Sequence, residues 1–222
     1  MKLKLLLTAI FFVMNLFSTV EAARDNADAE ELFQQAKTSF YNAQTQQLNG
    51  QPANESYAQA IRYISQAVTL DSDSADYALL ASRIYRGKGA GSYAQKYFEQ
   101  AVNLYRAEVA KNPDGIGANL DLAVALFAGD IPNVDEAEDL SKKVVKLCKK
   151  SHQNAQTLKA YAVAVVVEGK PKQARKILER AVKSDESLED LQDKFDYYSK
   201  IDPSGKFFVM YYMTLKDRNV GL

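Results

Sequence analysis

The chain has one cysteine, one histidine and no tryptophan, and its formal charge is zero, with 28 Lys and Arg against 28 Asp and Glu. Each scarcity closes off a class of function. A single thiol, Cys148, forms no internal disulfide, so packing alone must hold the fold. Cys148 and His152 stand in a Cys-x-x-x-His spacing, which would share one helical face if the helix continued. A zinc site takes three or four ligands, however, and these are two. Nor does the pair make a nucleophile and its base, because no third orienting group or oxyanion element accompanies it. Gly-x-Ser-x-Gly, His-Glu-x-x-His and Cys-x-x-Cys are absent. The acidic runs "DEAED" and "DESLED" read as solvated charge at helix starts, where the helix dipole favours them. The expectation is a protein that is not an enzyme and that uses no metal and no cofactor. A balanced charge also argues against a general nucleic-acid binder, which would show a basic excess.

Long apolar runs are equally scarce, with one exception. At the N-terminus, Lys2 and Lys4 precede a nearly continuous apolar stretch from Leu5 to Phe17, and Val20 and Ala22 then place small residues where signal peptidase reads them. This is the layout of a secretory leader. Residues 1–22 are therefore expected to be cleaved after Ala22, sending the chain to the periplasm or cell envelope. Removing Lys2, Lys4 and Glu21 leaves 26 basic against 27 acidic residues. The alternative is an uncleaved anchor, the one membrane contact the sequence predicts. The apolar run is short for a span of roughly 20 residues.

What the sequence does have is a repeat. "YAQAIRYISQAVTL" from Tyr57 aligns with "YAQKYFEQAVNL" from Tyr93. Ala60 maps to Ala94, Ile64 to Phe98, Ala67 to Ala101 and Leu70 to Leu104, each at an offset of 34. The same spacing recurs through Ala137, Ser141, Val144 and Leu147, and through Ala174, Leu178 and Ala181. Steps of four and three keep side chains on one helical face, and the small residues admit a close neighbour. Each such helix has another before it: Phe33, Ala36 and Phe40; Ala78, Ala81 and Tyr85; Leu122, Ala123 and Leu126; and Leu158, Tyr161, Ala162 and Val165. With its period of 34, residues 28–186 resemble a tetratricopeptide-repeat (TPR) protein. The resemblance implies an all-α, right-handed α-solenoid of about four helix–turn–helix units, after a short segment at 23–27. The first unit departs from the pattern, since "QTQQLNGQPAN", Gln44 to Asn54, lengthens its inter-helix turn.

The stretch "RGKGAGSYAQ", Arg86 to Gln95, could be mistaken for a phosphate-binding loop. A Walker loop needs Gly-x-x-x-x-Gly-Lys-Ser/Thr after a strand. Here the lysine follows the first glycine, and a helix precedes it. From Tyr85 to Ala94 is nine residues, as from Val165 to Ala174 in the fourth unit, so the glycines add no length. They make an ordinary turn, with Ser92 and Gln95 as a capping box.

The resemblance further implies that first helices line a concave, partner-binding face. The residues between packing positions are then Leu79, Leu80, Arg83 and Arg86 in the second unit, Leu120, Asp121, Val124 and Phe127 in the third, and Lys159, Val163, Val166 and Val167 in the fourth. The Lys and Asn clamp of chaperone-binding relatives is missing. A mostly apolar groove with two arginines suits a peptide with apolar anchors and an acidic group. The expected function is an interaction scaffold or adaptor of the envelope, a monomer or else an oligomer, holding a protein or peptide. Alternatives are an assembly or secretion accessory for a pilus, channel or cell-wall complex, and a small-ligand binder or enzyme using the groove. The dense tyrosines of the first two units, from Tyr41 to Tyr105, read as packing and seam residues, with an interaction face as the alternative.

Residues 187–222 are expected to close the array. "SLEDLQDKFDYYSKI" puts Leu188, Leu191, Phe195 and Tyr198 on one helical stripe. Pro203 and Gly205 break the chain, and Phe207 to Leu215 is nearly all apolar. That tail must dock as a cap, or fold back beside Val163 and Val167, which would itself bury that part of the groove.

Overall fold

The computed structural model describes residues 27–129 and 132–217. The leader expected at 1–22, nearly all of segment 23–27, and residues 218–222 of the tail lie outside the described residues. Within them every regular element is helical: α1 (27–48), α2 (Asn54–Leu70), α3 (Ala75–Gly87), α4 (Gly91–Lys111), α5 (Ile116–Ala128), α6 (Val134–Lys150), α7 (Ala155–Val167), α8 (Pro171–Ser184), a 3-10 turn (Glu186–Leu188), α9 (Glu189–Ile201) and α10 (Lys206–Asp217). The order is four TPR-like helix–turn–helix pairs, then a fifth pair, α9 and α10. The fold is all-α and of the repeat-array type.

The repeated register is a packing register. Ala60, Ile64 and Ala67 of α2 are buried, as are Ala94, Phe98 and Ala101 of α4, Ala137, Ser141 and Val144 of α6, and Ala174, Leu178 and Ala181 of α8. The fourth position slips: Leu70 is exposed, and Leu104 and Leu147 are half-buried. At about 100° per residue the first three positions fall within about 60° of one another, whereas the fourth lies about 80° from the first.

The chain divides into two compact units, one ending at Tyr97 and one beginning at Phe98, within α4. The core of the first joins Phe33 and Phe40 of α1, Tyr57 and Ile64 of α2, and Leu80 and Ile84 of α3. Tyrosine tips in this core find partners. Tyr57 Oη donates to Gln47 Oε1 at 2.8 Å, and Tyr77 Oη donates to Glu30 Oε2 at 3.1 Å. Gln47 belongs to α1, which corrects the long turn expected from Gln44. Residues 44–48 continue the helix, and the turn proper is 49–53. The polar "QTQQ" segment has ordinary helix propensity, and the Tyr57–Gln47 bond ties its end to the core.

The glycine stretch is a helix-terminating turn. Gly89 has φ +84°, its N–H bonds to Arg86 O, and the Ala90 N–H bonds to Tyr85 O. Gly169, with φ +72°, does the same between α7 and α8, through the Gly169 bond to Val166 O and the Lys170 bond to Val165 O. This paired 6→1 and 5→2 arrangement is the Schellman termination, and it favours glycine at its left-handed position. The capping-box expectation needs one correction. α4 begins at Gly91, with the Ala94 N–H already bonded to Ala90 O, so Ser92 lies inside the first turn rather than at the cap. Elsewhere polar caps are made as their residue types predict: Ser74, Asn133 and Asn154 accept from the backbone N–H three residues on.

In the second unit, α5 and α7 are apolar around most of their circumference, and most residues of each are buried. α10 packs against both, and against α9. Phe208, Val209, Tyr212 and Met213 of α10 are buried, and Phe208 meets Phe195 of α9 edge-on at 5.0 Å. The C-terminal segment is thus helical and folded back against the first helices, with α9 on α8. Leu188, Leu191 and Phe195 form the expected buried stripe, and Tyr198 is half-buried beside them.

Candidate partner-binding surfaces

In the first unit the predicted surface residues of α3 separate by depth. Leu80 is in the core, Leu79 is half-buried and Arg86 is exposed. Arg83 is half-buried, with its guanidinium 5.7 Å above the Phe40 ring, so it serves the α1–α3 seam as well as carrying charge. Beside the α3–α4 turn a tyrosine stack forms. The Tyr85 ring lies 5.1 Å from Tyr93 and 5.4 Å from Tyr97, with interplanar angles of 20° and 7°. Tyr93 is 58% exposed, so the stack runs from a half-buried base to an open face. The neighbouring phenols and burial act together on Tyr97: burial first, then Tyr85 and Tyr93, push its hydroxyl above the usual tyrosine range. Burial, with Glu30 adding to it, raises Tyr77 in the same direction. These tyrosines stay neutral hydrogen-bonding groups at ordinary pH. Of the eight tyrosines between Tyr41 and Tyr105, Tyr57, Tyr77 and Tyr105 are buried and Tyr93 alone is exposed.

In the second unit the predicted lining is mostly covered. Leu120, Val124, Lys159, Val163, Val166 and Val167 are buried, and Asp121 and Phe127 are half-buried. The element packed against both of these helices is α10, and Gly205, in the turn that leads into it, lies against Val166. The side chains thus come together as an internal seam with a helix of the chain's own in place.

Lys159 is the unusual member. Its side chain is 4% exposed within α7. Burial lowers its pKa below the ordinary lysine value, and Asp185, at the start of the 3-10 turn, acts against that. Asp185 is itself held low, first by its bonds from Ser187 and then by Lys159. Because the folded pKa of Lys159 is depressed, the unfolded chain binds more protons below 10.5, and this site adds stability as pH rises toward that value. The Lys159→Met variant, which keeps the stem and drops the charge, is expected to gain on the order of 1 kcal/mol at pH 7. Its advantage over the parent narrows toward pH 10 in paired urea titrations. A variant less stable than the parent at every pH would show that the ammonium is a net stabilising group.

Cys148 and His152 do not share a helix. α6 ends at Lys150, so His152 lies beyond the helix and is exposed, while Cys148 is fully buried. Burial pushes the Cys148 thiol up to about 11, the opposite of a reactive thiolate. Among the described residues no three His, Cys, Asp or Glu side chains group as metal ligands.

No family model matches the chain, and no curated protein matches it. Among solved structures it is similar to a kinesin light chain protein of Podosopora anserina with nearly identical TPR-like repeats. The TM-score is 0.36 with 17% identity, over 84% of this chain and 98% of that one.

Proposed function

We propose that this chain is a non-enzymatic protein-interaction scaffold of the cell envelope, exported by residues 1–22 and cut after Ala22. The observation that carries the reading is the first unit's exposed end of α3, where Arg86 stands one residue beyond Tyr85 and its open tyrosine stack. An aromatic surface and an exposed arginine at the same end of α3 fit a peptide with an apolar or aromatic anchor and a carboxylate. The apolar side of α5 and α7, by contrast, already holds α10, so the binding surface is assigned to α3 and the start of α4.

Photo-crosslinking tests this. With a photoreactive residue at position 93 in cells, discrete protein adducts are expected, and they should be lost when Arg86→Glu is added. Arg86 is exposed, so that substitution should cost under about 0.5 kcal/mol. Arg83 is left intact because of its seam with Phe40. N-terminal sequencing of the envelope fraction should begin at Ala23. Adducts indifferent to Arg86→Glu, or a chain that keeps Met1 and stays out of the envelope fraction, would count against the reading.

A further inference from the structure

The charge that sums to zero over the chain is segregated along it. Residues 142–183 hold twelve Lys and Arg against two acids, Glu168 and Glu179, a formal +10, so the rest of the chain carries −10. In the second unit this segment supplies the later half of α6 and all of α8. Lys146, Lys149 and Lys150 of α6 are exposed, as are Lys172, Lys176 and Lys183 of α8. None of these six is in an ion pair among the described residues, whereas Lys142 reaches Glu138 and Arg175 reaches Glu179 and Asp196. They lie away from the buried stripes, Ser141, Val144 and Cys148 on α6 and Ala174, Leu178 and Ala181 on α8.

The two basic faces are linked through one side chain at their C-terminal ends. The Arg180 guanidinium donates to Gln153 Oε1 at 3.4 Å, and Gln153 Nε2 donates to the carbonyl of Cys148 in the last turn of α6. This places Arg180, with Lys183 three residues on, beside Lys149 and Lys150. The result is one lysine-rich surface with no exposed large apolar side chain on α8 or on α6 beyond Val134.

We propose that this face docks on an anionic lipid bilayer surface. The chemistry selects that occupant. The groups are almost all ammoniums, compact charges on flexible stems, without the planar forks that read a phosphate bidentately. There is no exposed aromatic on the face to stack a base. A bilayer of acidic headgroups is planar and diffuse, and it rewards summed charge rather than a shaped pocket. No helix among the described residues is long and apolar enough to cross a membrane, so this contact is peripheral. It is independent of the partner assigned to α3.

Vesicle co-sedimentation of the full chain tests the docking. Phosphatidylcholine vesicles are compared with phosphatidylcholine–phosphatidylglycerol mixtures, and on each vesicle residues 1–22 contribute equally to the parent and to every variant, so the variants carry the decision. The parent should partition more strongly onto the anionic vesicles, and less so as salt shortens the reach of the charges. Each lysine is worth about fivefold in partition, so Lys149→Gln, Lys150→Gln, Lys176→Gln and Lys183→Gln together should lose on the order of several-hundredfold. Circular dichroism should be unchanged, since the four side chains are exposed. The four corresponding Lys→Arg changes should keep the binding, which separates charge from structure. Equal partition onto neutral and anionic vesicles overturns the proposal, as does a quadruple Gln variant within threefold of the parent. Selective binding to single-stranded RNA or to polyglutamate, without binding to the anionic vesicles, overturns it in favour of those partners.

Discussion

Deleting residues 204–222 is expected to lower the stability of the second unit by several kcal/mol and to expose apolar surface. The deletion removes α10, and with it Phe208, Val209, Tyr212 and Met213 from their buried positions. At about 1.5–3 kcal/mol for each large apolar side chain, the loss is roughly 6–12 kcal/mol as an upper bound. A domain has only about 5–15 kcal/mol in total. The truncated chain also uncovers part of α5 and α7, including Val166, and leaves Phe195 without its edge-on partner. The expected result is a broadened urea transition at a lower midpoint, with binding of a hydrophobic dye before unfolding. A truncated chain with an unchanged midpoint and no dye binding would mean that α10 contributes nothing to the unit's stability.

The reason α10 has such leverage was partly legible in the sequence. The apolar tail after Gly205 demanded cover, and its docking follows from hydrophobic pattern, as does the buried stripe through Phe195; their meeting through Phe208 does not. The choice between strand and helix did not follow, because Phe, Val and Tyr in "KFFVMYYM" favour strands locally. An all-helical neighbourhood decided it. The 34-residue register was legible because burial of small residues recurs with the repeat. What misled was the assumption that residues between packing positions face outward. "AYAVAVVV" in α7 is apolar on every side, and a helix apolar all round is buried all round. That signal placed Val163, Val166 and Val167 inside before any partner was considered. The basic face of α6 and α8 was also written in the sequence. Net charge hid it, because averaging over the chain cancels 142–183 against the acidic remainder.

Gly205→Ala is the finer test of how α10 is seated. Gly205 has φ +80°, and a Cβ added there would overlap Cγ1 of Val166. The left-handed backbone alone costs a non-glycine residue roughly 1–2 kcal/mol. The overlap adds a packing cost of about 1–3 kcal/mol, because either α10 or the α7 side chain must shift. The turn resists such a shift. Asp202 accepts from the Ser204 N–H at 3.0 Å with one carboxylate oxygen and from the Phe207 N–H at 2.9 Å with the other. Burial raises the Asp202 pKa, but the bonds from Ser204, Phe207 and Lys206 outweigh it and hold the group below its ordinary value. The carboxylate therefore remains charged and keeps the turn closed at neutral pH. A total loss of about 3 kcal/mol is expected for Gly205→Ala. Val166→Ala alone should also destabilise, since Val166 is fully buried. Together, however, the two changes should cost at least about 1 kcal/mol less than their sum, because the overlap disappears with Cγ1 and only the backbone strain remains. Simple additivity in that double-mutant cycle would mean that Gly205 is required for its backbone conformation alone. The contact between the turn and α7 would then play no part in holding α10 over the α5 and α7 side.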